Sequence, residues 1–338
     1  MKQYEALEYI KQQMEKMPPR LAYHADCDWN AWSKTAREKL SELLGLPMAD
    51  CEDAFSISGE KETETYRQIS FEFQSEPDYF VPSELLIPLD AEKPLPVVIC
   101  LQGHSSGKNI SMGIRKYDSD TEGMMRGRDF AVQAVKEGFC AVVFDQRYMG
   151  ESGHNKNGSP GCCSMNQALP AILMGRSAIG ERVWDVKRLI DVMGKYLREY
   201  INIERIICLG NSGGGTTTFY TACLDERIYM AVPSCAVCTY EDSIVSIHHC
   251  CCNYVPGIRR YFNMGDLGAL IAPRRLIVTC GIYDDIFPLK GVEESFAIIE
   301  SAYRALSREE HCRLVKGNGG HQFYPEDVWP MVHHLLEA

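Results

Sequence analysis

From about Pro94 onward the chain repeats one pattern: a short apolar run, a loop, and a helix-compatible stretch. The apolar runs occupy 97–101, 139–145, 205–209, 228–232, 276–280 and 312–315, and the helix-compatible stretches 129–137, 181–197, 213–224, 292–306 and 326–336. Runs this short and continuously apolar read as strands buried on both faces. The intervening helices must then cover both faces of one mainly parallel sheet, which sets the fold class as α/β. In such a sheet ligands gather outside the carboxyl ends of the strands, so the loops leaving each strand are where chemistry is expected.

The loop after 205–209 is Gly210-Asn211-Ser212-Gly213-Gly214. A Gly-x-Ser-x-Gly between a strand and a helix permits a sharp turn that lifts the serine hydroxyl above the sheet, with a helix N-terminus beneath it. Glycine and serine are common in turns, so the five residues alone are a weak signal. A serine nucleophile also needs a base, a carboxylate to orient that base, and donors for an oxyanion. Each stands in a loop leaving another strand. After 276–280 comes Gly281-Ile282-Tyr283-Asp284-Asp285, and after 312–315 comes Gly317-Asn318-Gly319-Gly320-His321. After 97–101 comes Gln102-Gly103-His104-Ser105, a loop able to aim backbone N–H groups at a developing negative charge.

The chain order Ser…Asp…His on this strand–helix grammar resembles the α/β-hydrolase superfamily over roughly residues 66–338. Within it the chain is most similar to the bacterial acetyl-xylan-esterase-like and dienelactone-hydrolase-like branch. The segments that carry this likeness are Leu101-Gln102-Gly103-His104, Gly175-Arg176-Ser177 with Trp184-Asp185, the Ser212 turn, Ala272-Pro273-Arg274-Arg275-Leu276, and Gly281-x-x-Asp284. The resemblance implies an α/β-hydrolase fold with a mainly parallel central sheet. It also implies Ser212 as nucleophile, His321 as base, Asp284 as its orienting acid, the backbone N–H groups of Gly213 and His104 as oxyanion donors, and no metal or organic cofactor. The family spacing Gly-x-x-Asp-x-x-x-Pro selects Asp284, leaving Asp285 as a solvated or capping residue.

There are departures. Gln102 stands where the family usually has histidine. The family's Asp-x-Arg-Gly-x-Gly-x-Ser loop reads Asp145-Gln146-Arg147-Tyr148-Met149-Gly150-Glu151-Ser152, so Tyr148 replaces a glycine and is expected to reshape the pocket floor.

The function expected from these residues is a serine carboxylester hydrolase acting on small acyl esters, acetyl above all, of a polar alcohol such as a carbohydrate. A serine peptidase of the prolyl-oligopeptidase type shares the core but normally carries a gating domain, which the N-terminal 65 residues are too few to supply. A non-catalytic binding protein on the same fold is the other alternative. Candidate substrate contacts are Arg147, Tyr148 and Tyr254, although Arg147 and Glu151 also suit a loop-bracing ion pair. The long stretches 105–128 and 240–263 are natural pocket walls. The run His248-His249-Cys250-Cys251-Cys252 has metal-ligand residue types, but adjacent residues converge poorly on one tetrahedral ion, and it reads as packing.

With 338 residues the chain can bury a large core. It divides into an N-terminal helical extension, 1–65, and a catalytic domain, 66–338. The extension carries helices over 4–16, stopped by Pro18-Pro19, and 32–44, with Gly45 as C-cap. The catalytic domain opens with a half-exposed strand at 66–73 and its hairpin mate at 79–88. A net charge of −11 argues against nucleic acid or an anionic membrane as partner. The partner expected is a small-molecule ester, with homo-oligomerisation left open. The charged start lacks a signal-peptide core, no apolar run is long enough to span a membrane, and the 15 cysteines suit reduced thiols, so a cytoplasmic location is expected.

Overall fold

The structure is a computed structural model that describes residues 4–89, 91–92, 94–118, 120–121, 127–153, 161–162 and 165–337. Its strands, in chain order, are β1 (Phe55–Glu62), β2 (Tyr66–Glu76), β3 (Tyr79–Pro88), β4 (Leu95–Leu101), β5 (Cys140–Phe144), β6 (Met149–Gly150), β7 (Gly161–Cys162), β8 (Ile201–Asn211), β9 (Ile228–Ser234), β10 (Arg275–Gly281) and β11 (Cys312–Gly317). Nine of them form one sheet in the order β1-β2-β3-β5-β4-β8-β9-β10-β11, and β6 pairs with β7 separately. The edge from β1 to β5 is antiparallel, and every pairing from β5 to β11 is parallel. The α/β class read from the sequence is the class observed.

The helices are α1 (Ala6–Lys16), α2 (Trp29–Leu44), α3 (Phe130–Lys136), α4 (Met165–Leu173), α5 (Ala178–Tyr196), α6 (Gly213–Leu224), α7 (Met264–Ala269), α8 (Leu289–Ala305) and α9 (Pro325–Glu337). Strand side chains alternate between faces. Val97, Ile99 and Leu101 of β4 therefore enter one core with α2, α5, α6 and α8, while Val98 and Cys100 enter a second core with α3 and α9. Both faces are buried, which is why these strands are apolar at consecutive positions. Fully burying one such aliphatic side chain contributes about 1.5–3 kcal/mol. Cys100, Cys208, Cys223, Cys280 and Cys312 are buried thiols within these layers, and burial pushes the Cys208 thiol up to about 12.

The N-terminal stretch shares this core. Ala36, Leu40 and Leu44 recur every fourth residue on α2 and are wholly buried against the main cluster. The helix ends at Gly45, whose φ of 77° is the left-handed C-cap glycine accommodates without strain. The stretch read as helical also holds β1, which pairs with β2 through Phe55 and Phe73. Its remaining residues are exposed, so β1 has almost no buried period to betray it. Among the described residues no helix is long and apolar enough to cross a membrane.

Candidate active site

Strand β8 ends at Asn211 and α6 begins at Gly213, so the chain reverses at Ser212 alone. Ser212 has φ 57° and ψ −124°, a conformation that costs a non-glycine residue roughly 1–3 kcal/mol. The surroundings hold it there. Its N–H donates to the Ser234 carbonyl at 2.9 Å, and its own carbonyl accepts from Thr216 N at 2.8 Å. The flanking glycines are required sterically. A Cβ on Gly214 would stand 1.9 Å from the Leu101 carbonyl oxygen, and one on Gly210 would stand 2.5 Å from the Gly214 carbonyl.

The loops after β10 and β11 bring Asp284 and His321 together. His321 Nδ1 lies 2.9 Å from Asp284 Oδ2, and Asp284 Oδ1 accepts the backbone N–H groups of Ile286 at 2.8 Å and Phe287 at 3.0 Å. Burial pushes the Asp284 carboxyl up. Its bond to His321, the imidazole charge and the two backbone donors outweigh burial and hold it below the usual carboxylate range. Asp285, one residue on, is exposed. His321 stacks on Phe287 (centroids 5.9 Å apart, planes 14° apart), and His249 meets the same ring edge-on at 5.3 Å. His249 Nε2 in turn lies 3.0 Å from Ser243 Oγ, which donates to the Ile286 carbonyl. Burial, with the nearby imidazoles, lowers His249 to about 4, so it is neutral at pH 7.

Ser212, Gly213 and His321 line one cavity of about 270 Å³ together with His104, Arg128, Thr216, His248, His249, Cys250, Asn253, Ile286 and Phe287. His321 Nε2 is buried there and makes no hydrogen bond to any described residue. The Gln102–His104 loop lies beside the serine: a Cβ on Gly103 would sit 3.1 Å from Ser212 Cβ, and one on Gly213 would sit 2.7 Å from the His104 ring. Gly213 occupies the first turn of α6, where backbone N–H groups have no partner inside the helix. Gln146 anchors the loop by donating to the Gln102 carbonyl at 2.6 Å while accepting from Thr217 Oγ1 at 2.6 Å. Asp145 ties the chain just beyond this loop to its own turn, accepting from Lys108 N at 2.6 Å and Glu151 N at 3.0 Å.

The sequence model of the Abhydrolase family matches residues 4–316. The chain belongs to the Abhydrolase family. A Bacillus subtilis (strain 168) relative, YtaP, provisionally called a hydrolase, is 24% identical over 254 residues, covering 72% of this chain and 77% of its own. A Bacteroides fragilis NCTC 9343 structure, provisionally called an acetyl xylan esterase, superposes with a TM-score of 0.78 at 20% identity, covering 97% of this chain and 88% of its own. A glucuronoyl esterase from Solibacter usitatus gives 0.70 at 14% identity (95% and 97% covered), and an acetyl xylan esterase from Paenibacillus sp. R4 gives 0.58 at 18% (96% and 98%). At these identities the structural likeness establishes a shared fold.

The residue that departs from the family's glycine, Tyr148, has φ 70°, the left-handed region in which glycine is unstrained. Its hydroxyl donates to Glu181, and burial together with that carboxylate raises its pKa. Arg147 beside it is buried among Glu76, Glu181 and Asp185. Nη1 lies 2.6 Å from Glu76 Oε1, and Nε and Nη2 reach the Asp185 carboxylate at 2.9 and 2.8 Å. The guanidinium also lies 4.2 Å from the Tyr79 ring centroid. Tyr254 borders an apolar groove between residues 240–260 and Met14 of α1, and its hydroxyl donates to the Ile244 carbonyl. Arg147, Tyr148 and Tyr254 thus stand outside the Ser212 cavity. A larger cleft of about 660 Å³, near Asp191, Lys195, Arg227 and Arg274, lies away from Ser212 and is lined by ion-paired residues.

Two residues of the 248–252 run do meet a third donor. His104 Nε2, Cys250 Sγ and Cys252 Sγ lie within 4.8 Å of one another. Two cysteine sulfurs and an imidazole are donor types that suit a borderline-soft ion such as zinc. The spacing was invisible in sequence because His104 lies 148 residues from Cys252.

Proposed function

We propose that the protein is a serine carboxylester hydrolase acting on small acyl esters, chiefly acetyl, of a polar alcohol such as a carbohydrate. One observation carries the reading: an imidazole aligned by a buried carboxylate, its second nitrogen without a partner among the described residues, lines the same cavity as a serine on a strained strand-to-helix turn. Ser212 Oγ attacks the ester carbonyl carbon while His321 Nε2 accepts its proton, and Asp284 stabilises the imidazolium. The N–H groups of Gly213 and His104 receive the oxyanion, each such donor being worth roughly 3–4 kcal/mol in related chemistry. The ester C–O bond breaks, and His321 returns the proton to the leaving alkoxide. Water, deprotonated by the same nitrogen, then releases the carboxylic acid and regenerates Ser212.

The carbohydrate esterases among the structural neighbours support this choice of substrate class, as does a small cavity with many hydrogen-bonding side chains in its wall. A net charge of −11 and buried thiols fit a small-molecule substrate met in a reducing cytoplasm. A fluorophosphonate probe should label Ser212, and Ser212→Ala should lower turnover of an activated acetate ester by about 10⁴–10⁶. Retention of more than a tenth of the activity, or preference for peptide amides over acetyl esters, would overturn the reading.

A further inference from the structure

Arg128 lines the same cavity as Ser212 and His321. Among the described residues no carboxylate and no carbonyl partners its guanidinium. The other enclosed arginines behave differently. Arg147, Arg176 and Arg188 meet carboxylates, while Arg182 and Arg274 donate to backbone carbonyls. Arg128 is half-buried, and burial pulls it below its ordinary value against the opposing effect of Cys235. A guanidinium nevertheless stays charged at neutral pH.

The backbone around this cation is anchored. Gln133 Nε2 donates to the Gly127 carbonyl at 3.2 Å, and Phe130 packs edge-on against Phe323, two residues beyond His321, at 5.1 Å. Among the described residues none that lines the cavity offers it a carboxylate. Both oxygens of Asp284 are already committed, to His321 and to two backbone donors. A partly desolvated, unpaired cation is unfavourable, and a ligand anion relieves that cost. The planar guanidinium presents a fork of donors that matches the two oxygens of a carboxylate or phosphate. In a chain of net charge −11, such a local positive site is what would let an anionic substrate approach.

We propose that Arg128 forms an anion-accepting subsite, so that the substrate carries a carboxylate or phosphate that Arg128 grips while Ser212 attacks an acyl ester on the same molecule. The identity of the bond cleaved rests on the esterase reading; the anion subsite does not.

The test separates the two. Binding of glucuronate, glucose 6-phosphate and glucose is measured by calorimetry on full-length Ser212→Ala protein, where turnover plays no part. At least one anion should bind tenfold or more tighter than glucose, with an advantage that shrinks as salt rises. Which anion wins distinguishes a uronate from a phosphorylated sugar. Arg128→Gln should abolish the advantage, and Arg128→Lys, which keeps the charge but loses the fork, should retain part of it. If Arg128→Gln misfolds, Arg128→Met replaces it. A kinetic arm compares mono-O-acetyl glucuronate with mono-O-acetyl glucose, and the ratio of their kcat/KM values should fall at least tenfold in Arg128→Gln. No anion binding at millimolar concentration, or an anion preference that survives loss of Arg128, would overturn the proposal. Absence of all ester hydrolysis would overturn the esterase reading alone, because the binding arm still decides the subsite.

Discussion

His321 Nδ1 and Asp284 Oδ2 lie 2.9 Å apart, and Asp284 can hold that position because its other oxygen is fixed by the N–H groups of Ile286 and Phe287. Two backbone donors and one imidazole together satisfy a carboxylate whose side chain is fully buried. The imidazole is thereby set with Nδ1 as the donor and Nε2 as the free acceptor, the tautomer a base acting on Ser212 requires.

Asp284→Asn should therefore lower kcat by about 10⁴, since an amide that donates to Nδ1 selects the opposite tautomer. Asp285 is exposed, so Asp285→Asn should change kcat only slightly. Turnover of an activated acetate ester by the two variants checks the ranking. The reverse order would place the orienting carboxylate one residue further along the turn.

His249 supplies a pH signature of stability. Its folded-state value, lowered to about 4 from 6.5, lies below the value it has when unfolded. The unfolded chain binds the proton first, so the stability this group contributes is present above pH 6.5 and is lost as pH falls toward 4. His249→Gln removes that titration. The melting temperature of the native protein should fall across this window by on the order of 2 °C more than that of His249→Gln, measured by calorimetry at constant ionic strength. Parallel curves would refute the assignment.

The parallel half of the sheet was legible because each of its strands is apolar on both faces, which leaves a continuous run in the sequence. Ser212, Asp284 and His321 were legible because each lies in a loop leaving such a strand, at the end where an α/β sheet gathers its ligands. β1 was not, since its exposed residues carry no buried period. Nor was the company of Arg147, for Glu76 reaches it from β2 and Glu181 and Asp185 from successive turns of α5. Arg128 was hidden for the opposite reason. What marks it is the absence of a carboxylate or carbonyl partner among the described residues, which a sequence cannot display.

Arg147 tests whether the loop after β5 braces the fold or reads substrate. Arg147→Met would leave Glu76, Glu181 and Asp185 buried with only Arg176 to offset them. Removing one partner from a buried charge cluster costs about 3–5 kcal/mol, and the unfolding free energy in denaturant should drop by that amount. KM for a neutral acetate ester should change less than threefold in the folded variant. A large rise in KM with unchanged stability would instead make Arg147 a substrate contact.

Acyl length is the sharpest test of the small-ester reading. The cavity around Ser212 holds about 270 Å³, the low end for ligand sites, and it must admit the alcohol part as well as the acyl group. Its wall carries four imidazoles, Arg128, Thr216 and Asn253 beside only two large apolar side chains, Ile286 and Phe287. Each methylene that finds apolar surface would gain about 0.8 kcal/mol, but a cavity of about 270 Å³ has little room for such methylenes beyond the first carbons. The apolar groove near Tyr254 is a separate depression that includes Met14, Ile172 and Val255 but neither Ser212 nor His321. An acetyl ester should therefore exceed an octanoyl ester of the same alcohol in kcat/KM by at least about tenfold, with the fall set in KM or kcat before six carbons. A series from two to twelve carbons measures it. A maximum at eight carbons or more would show that the groove opens onto the serine, refuting the acetyl preference while leaving Ser212, His321 and Asp284 in their roles.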